Sequence, residues 1–289
     1  TLTDHFPLTA HDQLIELQRL YLLVGGMPEA IHRYKETESF TQVFDVHASI
    51  VDTYRDDFSK YARQSALINI HRVFEFVPSA IGEKFKYVNV DSQTQARDIR
   101  KAFDLLLKAQ VIRRACHTDG AGIPLRSTMN ERVFKPFFLD CGLVNHICGV
   151  KRITIESLTE RKFINEGKLA EQFIAQHLHR LSPVNVSYPF TYWLREGRSA
   201  NAEVDFLVQL DETVVPIEVK AGKSGSLKSL LQFMYHKKRT EAVRFDLNMP
   251  TRQEVSHQIR QTSSSTTVSF SLLSLPLYLV EQLPRIFTT

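Results

Sequence analysis

Asp205, Glu218 and Lys220 are the side chains whose types and spacing could do chemistry. They lie in two alternating stretches, Ala202–Val208 and Val214–Lys220, separated by a polar turn. Alternation is the mark of a strand with one buried face. In the first stretch Val204, Phe206 and Val208 face one way while Glu203 and Asp205 face the other. In the second, Ile217, Val219 and Ala221 oppose Glu218 and Lys220. A symmetric two- or four-residue loop sets Asp205 opposite Glu218 and Glu203 opposite Lys220. Directly opposed residues in an antiparallel pair have Cβ atoms roughly 4.5–5.5 Å apart. Two carboxylates held that close repel unless a cation lies between them. A divalent metal is the usual answer. An odd-length loop would break this register, and Asp211-Glu212 is not a favoured tight-turn pair. The bland alternative is a solvated polar face on an edge hairpin.

A further carboxylate stands on a helix expected over Asn165–Leu178, where Glu171 shares a side with Ile174 and Leu178. A carboxylate on an apolar flank is rarely buried without a partner. In order, then, the chain offers an acid on a helix, an acid on one strand, and Glu-x-Lys on the partner strand. Hard oxygen ligands suit Mg²⁺ or Mn²⁺; Mg²⁺ keeps several waters and binds through one or two carboxylates plus substrate phosphate. Such an ion would polarise a scissile phosphate and acidify a bound water. Lys220 would stabilise charge at the phosphoryl group, and Glu171 would be an outer or second-metal ligand.

The elements that must position these groups can be read in order. Asp12–Val24 has a helical apolar pattern ended by Gly25-Gly26, and Met27-Pro28-Glu29-Ala30 opens another helix with Pro28 in its first turn. A longer helix is expected from Phe40 to Tyr61, and another from Ile70 to Ile81. Asp91-Ser92-Gln93-Thr94 offers capping residues before a helix over Gln95–Gln110. Ile99, Ala102, Phe103, Leu106 and Leu107 form its apolar stripe; Arg97, Arg100, Lys101, Asp104 and Lys108 cluster opposite. Strands over Val111–Ala115 and Leu125–Met129 would flank the turn Asp119-Gly120-Ala121-Gly122. Helix, helix, hairpin is the layout of a winged helix, whose second helix would present Arg97, Arg100, Lys101 and Lys108 to a major groove. Exposed faces of ordinary helices are also Lys/Arg-rich, and winged helices serve as protein-interaction modules too. Further on, strands are expected at Val184–Tyr188, Tyr192–Leu194, Ala242–Leu247 and Val268–Leu273, with a helix over Leu227–His236. Asn248–Thr267 reads as a polar Ser/Thr-rich connection, with Ser263–Thr267 a mobile loop. Tyr192 and Trp193 read as strand packing rather than as a base-stacking platform.

The 289 residues suffice for two or three domains, and 43% hydrophobic with 24% charged residues is a soluble globular composition. No apolar run approaches the ~18–20 residues of a membrane span, so no membrane partner is expected. Cys116, Cys141 and Cys148 make no CxxC, which argues for a reducing, cytoplasmic setting and against zinc. His177 and His179 flank Leu178 on opposite sides of a helix and cannot share a metal as in HExxH; no G-x-S-x-G is present. A formal charge of +4 permits nucleic-acid binding without demanding it.

The ordered set Glu171, Asp205, Glu218, Lys220 resembles the PD-(D/E)XK, restriction-endonuclease-like nuclease fold, with Val204 where that motif has Pro. That family commonly adds a Gln on the following helix, and Gln232 matches its place loosely. More of the chain is similar to the C-terminal part of bacterial and archaeal AAA-type ATPases that end in such a module. The matching phrases are Gly25–Ala30, Asp57–Tyr61, Phe138–Leu143, Ala202–Phe206 and Ile217–Gly222. The resemblance implies an ATPase core ahead of these segments. No G-x-x-x-x-G-K-[ST] occurs, so ATP binding is not expected of this chain.

The expected fold is α/β (α+β overall) in three parts: a helical segment over 1–64, a winged helix over 65–150, and a restriction-endonuclease-like sheet domain over 151–289. The expected function is Mg-dependent cleavage of nucleic acid, DNA rather than RNA, with the ATPase core as a partner and an oligomer allowed. The alternatives are a catalytically inactive DNA-binding module and a protein-interaction module that regulates the ATPase.

Overall fold

In the computed structural model, residues 6–150, 166–181, 190–197, 201–222, 225–260 and 265–287 are described. In chain order the helices are α1 (Leu8–Val24), α2 (Pro28–Thr37), α3 (Phe40–Asp57), α4 (Gln64–Phe76), α5 (Tyr87–Val90), α6 (Ala96–Lys108), α7 (Cys141–Ile147), α8 (Glu166–Leu178), α9 (Lys228–Lys237) and α10 (Leu283–Phe287). The strands are β1 (Ile112–Thr118), β2 (Met129–Phe138), β3 (Thr191–Arg195), β4 (Ala202–Leu210), β5 (Thr213–Val219), β6 (Glu241–Asp246), β7 (Thr251–Arg260) and β8 (Ser265–Pro276). The protein is therefore α/β overall, with a helical N-terminal region. Among the described residues no helix is long and apolar enough to cross a membrane. By contact density the chain forms two units, Leu17–Arg114 with Lys135–Gln176, and Thr1–Glu16 with Ala115–Phe134 and His177–Thr289.

The first of these is helical. Pro28 stands in the first turn of α2, where its missing N–H costs nothing. Ala30, Val43 and Val46 pack with Val24 in a small core. On α6 the expected stripe is buried at Ile99, Ala102, Phe103 and Leu106. The Asp91–Thr94 stretch does not cap it as expected. The N-cap is Gln95, without a side-chain bond, while Asp91 takes the Gln93 N–H, the Thr94 hydroxyl and Arg72. These contacts make a turn of their own, the usual competitor to a cap.

Two glycine-rich phrases far apart in sequence meet in this unit. Asp140 is buried; its Oδ1 accepts from the Gly142 and Leu143 N–H groups at the start of α7, and its Oδ2 accepts from the Gly26 N–H at 2.6 Å. Gly25 has φ +73°, and a Cβ there would fall 2.1 Å from Asp140 Oδ1. Only glycine fits, both for conformation and for space. His47 Nε2 reaches the Val24 carbonyl at 2.9 Å, and Asn145 donates to the Leu22 carbonyl.

The strands form one eight-stranded sheet in the order β2-β1-β3-β4-β5-β6-β8-β7, of which β3 to β8 belong wholly to the second unit while β1 and β2 are divided between the two. Strands β5, β6 and β8 are mutually parallel, while β4 runs antiparallel to β3 and β5. Helix α9 covers one face, setting Leu230, Phe233 and Met234 against Val204, Leu207, Val214, Ala242, Phe270 and Leu272. Trp193 belongs to that core, edge-on to Phe233 at 5.3 Å, and Tyr192 is fully buried, so both are packing residues.

Three expectations are corrected here. Leu125–Met129 is not a strand: Leu125–Thr128 is a 3-10 turn and β2 starts at Met129. Thr118 donates to the Leu125 carbonyl and Ser127 to that of Pro124, local bonds that bend the chain away from extension. Within Asn248–Thr267, Thr251–Arg260 forms β7, paired over its whole length with β8, whose first residues are Ser265–Thr267. As an edge strand β7 is exposed over Thr251–Gln258 apart from Val255, with Ile259 partly buried, so apolar alternation does not betray it. The remaining part of the expected loop, 263–264, and the expected strand Val184–Tyr188 lie outside the described residues. Finally, the alternation of β4 is broken. Its register with β3 shifts by one between Leu207 and Val204, so that Val204 and Leu207, not Val204 and Phe206, share the core under α9.

Candidate functional site

The hairpin has the expected register. Leu210 pairs with Thr213 across a two-residue turn, and the ladder continues to Phe206 and Ile217. Asp211 accepts a positive φ of 48°, which an acidic residue tolerates better than most, and Gln209 donates to its carbonyl. One step beyond Phe206 and Ile217 stand Asp205 and Glu218. There the backbone ladder gives way to a side chain: Asp205 Oδ2 accepts the Val219 N–H at 2.8 Å. The register shift in β4 falls at this point, and such irregularities re-aim a side chain beside a site. On the other edge of β5 the Lys220 N–H donates to the Phe245 carbonyl of β6. Lys220 Nζ is hydrogen-bonded to Glu218 Oε1, with Glu218 buried and the lysine head partly exposed. A side chain at Gly225 would strike the Lys220 stem, so this glycine lets the lysine lie back over its own strand.

Strand β6 supplies charges that complement those of β5. In the parallel register Glu218 is beside Arg244, and Arg244 is in turn beside Ser274 of β8. Arg244 Nε lies 2.8 Å from the buried carboxylate of Asp246. Glu-x-Lys on one strand and Arg-x-Asp on the next thus make a square of alternating charges, and opposite charges on neighbouring strands attract. Asp205 tips the group negative, with three carboxylates against two cationic heads. The preceding row on this face is apolar, formed by Leu207, Ala242 and Leu272.

Glu171 has a different setting. It lies on α8 in the helical unit, with Oε2 3.5 Å from Nζ of Lys135, whose side chain is fully buried. Gly82 makes room for it, since a Cβ there would fall 2.6 Å from Oε2. The partner that an inward carboxylate needs is therefore a lysine. Among the described residues no three His, Cys, Asp or Glu side chains are grouped so as to hold a metal ion. The residues present would fit a smaller donor set: Asp205 and Glu218 could supply the one or two carboxylates that Mg²⁺ takes from a protein, the rest being water and substrate oxygen.

Arg97, Arg100, Lys101 and Lys108 are all exposed on α6. Three of them face acids of the same helix: Lys101 and Arg97 lie 3.2 and 3.6 Å from Asp98, and Arg100 lies 3.7 Å from Asp104. Such pairs are weak in water and leave the heads able to exchange partners.

Residues 15–154 match a domain of unknown function, DUF8612, and residues 166–268 match a second, DUF4143. The basic helix falls in the first stretch; Glu171, Asp205, Glu218, Lys220 and Arg244 fall in the second. No curated protein and no solved structure matches the chain.

Sequence reasoning missed Arg244, Asp246 and Ser274. The signal was present in Ala242-Val243-Arg244-Phe245-Asp246, where two opposite charges two residues apart interrupt an apolar strand just as Glu218 and Lys220 do. Gln232 lies elsewhere on this unit, accepting from Arg195 beside a cleft of about 440 Å³ lined by His117, Trp193, Arg195, His236 and Lys237 among others. Arg195 also donates to His236 Nε2 at 2.6 Å. Burial, then Arg195 and Lys237, hold the His236 imidazole below its ordinary pKa, in keeping with a neutral ring that accepts.

Proposed function

We propose that the chain carries a PD-(D/E)XK-like, metal-dependent nuclease site formed by Asp205, Glu218 and Lys220. The observation that carries this reading is the convergence of Asp205 with Glu218-x-Lys220 across one hairpin, where Asp205 Oδ2 replaces a ladder acceptor beside the Glu218–Lys220 pair. A bound Mg²⁺ or Mn²⁺ would supply Lewis acidity at the phosphate and a more acidic water. Asp205 and Glu218 would hold it. Lys220, released from Glu218 as substrate enters, neutralises charge that builds on the phosphoryl oxygens. For Glu171 the proposed role is its ion pair with Lys135 rather than a metal ligand. Nucleic acid, DNA rather than RNA, is the proposed substrate, with Arg97, Arg100, Lys101 and Lys108 as backbone contacts of a winged helix. An AAA-type ATPase core is the proposed partner, and the cysteines, none in a disulfide among the described residues, favour a reducing cytoplasmic setting.

The test is cleavage of plasmid and single-stranded DNA, and of RNA, in Mg²⁺ or Mn²⁺ against a chelator control. Wild type is expected to nick at least one of them, and Asp205→Ala or Lys220→Ala to abolish it. Metal-independent nicking, or nicking that survives both changes, overturns the reading. A second reading, binding without cleavage, draws on the mutual neutralisation of Glu218 with Lys220 and Arg244 with Asp246. It predicts salt-sensitive binding that survives both substitutions.

A further inference from the structure

We infer that Arg244 is the phosphate-binding residue of this site, holding a non-bridging oxygen of the phosphodiester next to Glu218; this rests on the nuclease reading above. The parallel register makes Glu218 and Arg244 direct neighbours, and Arg244 and Ser274 likewise. Neighbouring strands lie about 4.8 Å apart, so the three side chains leave one face of the sheet in a single row. Within that row hydrogen-bonding capacity is unmet. Arg244 Nε is 2.8 Å from Asp246 Oδ2, yet its N–H is not directed at that oxygen, and neither atom has a hydrogen-bond partner. Ser274 is fully buried, and its hydroxyl has none either. A buried polar group left without a partner is costly, so two such donors side by side mark a place suited to receive oxygen. The chemistry of the donor narrows which oxygen. A guanidinium presents a planar fork that fits phosphate in two-point contact, and it stays charged when partly buried. The Arg244 side chain is 17% exposed and that of Lys220 24%, so each reaches solvent in part on the same face. A phosphate lying against them meets a cation on either side of Glu218, and Arg244 gives up only a poorly aligned ion pair to reach it.

The experiment is binding of a labelled DNA duplex and a labelled single strand at several salt concentrations, with steady-state cleavage in Mg²⁺, for wild type, Arg244→Gln, Arg244→Lys and the control Arg252→Gln. Arg252 lies on β7 and is paired with Glu241, outside the row. Arg244→Gln is expected to weaken binding about tenfold, to lower the log–log salt slope by about one contact, and to raise KM more than it lowers kcat. Arg244→Lys keeps the charge and the slope but loses the fork, weakening binding about threefold. Arg252→Gln changes none of these. Wild-type affinity and slope in Arg244→Gln overturn the inference while leaving a cleaving wild type, and so the nuclease reading, intact. Should Arg244→Gln fail to fold, wild-type affinity in a folded Arg244→Lys overturns it instead. A wild type that binds but does not cleave, with the slope still dependent on Arg244, removes the nuclease reading and keeps the phosphate contact. A wild type that binds neither nucleic acid removes both.

Discussion

Asp140 and Asp205 are both carboxylates placed where the backbone lacks an acceptor, and they are used differently. Asp140, in the helical unit, is buried and divides its oxygens mainly among the N–H groups of Gly26, Gly142 and Leu143, with the Gln176 amide as a longer donor at 3.3 Å. Asp205, in the sheet unit, takes the Val219 N–H while standing in line with Glu218, Lys220 and Arg244. The first is tied to fixed main-chain donors that no ligand can displace. The second is surrounded by ionisable heads that can move and trade partners. A carboxylate that only builds is held mainly by backbone, whereas the one proposed to bind metal keeps company with other charges. Both motifs look alike in sequence, an acid among apolar residues, and only the donors separate them.

The sharpest way to break this comparison is Asp140→Ala. Three N–H groups would lose a charged acceptor, two of them buried at a helix start, for a loss of about 3 kcal/mol or more. Urea unfolding should show it as a lowered midpoint at unchanged slope. A loss below about 1 kcal/mol would mean that water replaces the carboxylate freely, and the distinction would collapse.

Glu171 tests the same distinction from a third position. Its ion pair with the fully buried Lys135 predicts that Lys135→Met alone costs roughly 3 kcal/mol, because the remaining carboxylate is left uncompensated. The double change Lys135→Met with Glu171→Leu should recover much of that loss. If Glu171→Gln leaves stability untouched and instead abolishes Mg²⁺-dependent cleavage, Glu171 belongs with Asp205 after all.

His47 offers a titration. Its Nε2–H donates to the Val24 carbonyl, so Nδ1 is bare, buried and without a partner. Burial lowers its pKa most, Val24 and Asp140 work against this, and His146 adds to it. With the folded pKa below the ordinary 6.5, the unfolded chain binds the proton that the folded chain refuses. Stability is then complete above about pH 7 and falls on acidification, by no more than about 1.4 kcal/mol per pH unit from this one group. Urea midpoints between pH 8 and pH 5, roughly spanning that window, should fall in wild type and flatten in His47→Gln.

What was legible in the sequence was whatever one periodicity controls. The 3.6-residue stripe of α6 and the placing of Asp205 against Glu218 were readable because burial on one side of each element leaves an imprint. The edge strand β7 left none, since its polar residues face water on both sides and its order comes from pairing with β8. The bulge in β4 could not be read either, because a one-residue shift looks like ordinary alternation until β3 is laid beside it. Arg244 joined the site only through the parallel register of β5 and β6, a long-range pairing that no local spacing encodes. For Glu171 the need for a partner was plain, but its identity was not, because Lys135 lies 36 positions away on another element.

The smallest expected change in stability is the most informative. In Asp205→Asn the carboxamide oxygen can still accept the Val219 N–H, so the hairpin keeps its acceptor. One negative charge also leaves a group that holds three. The two effects together predict a stability change under about 1 kcal/mol in either direction. Metal-dependent cleavage, by contrast, should fall by about 10² or more, since an amide is a poor ligand for Mg²⁺ and Glu218 would be the one proposed ligand left. The same conservative change at Asp140 should do the reverse: Asn supplies a single oxygen where two are used, so stability drops by more than about 1 kcal/mol, and cleavage at a temperature well below the melting point is spared. Measuring both variants by urea unfolding and by nicking gives a crossed pattern if the two carboxylates differ as argued. Parallel losses in both assays would mean that Asp205 is a second structural acceptor, and that its neighbours Glu218 and Lys220 merely neutralise each other.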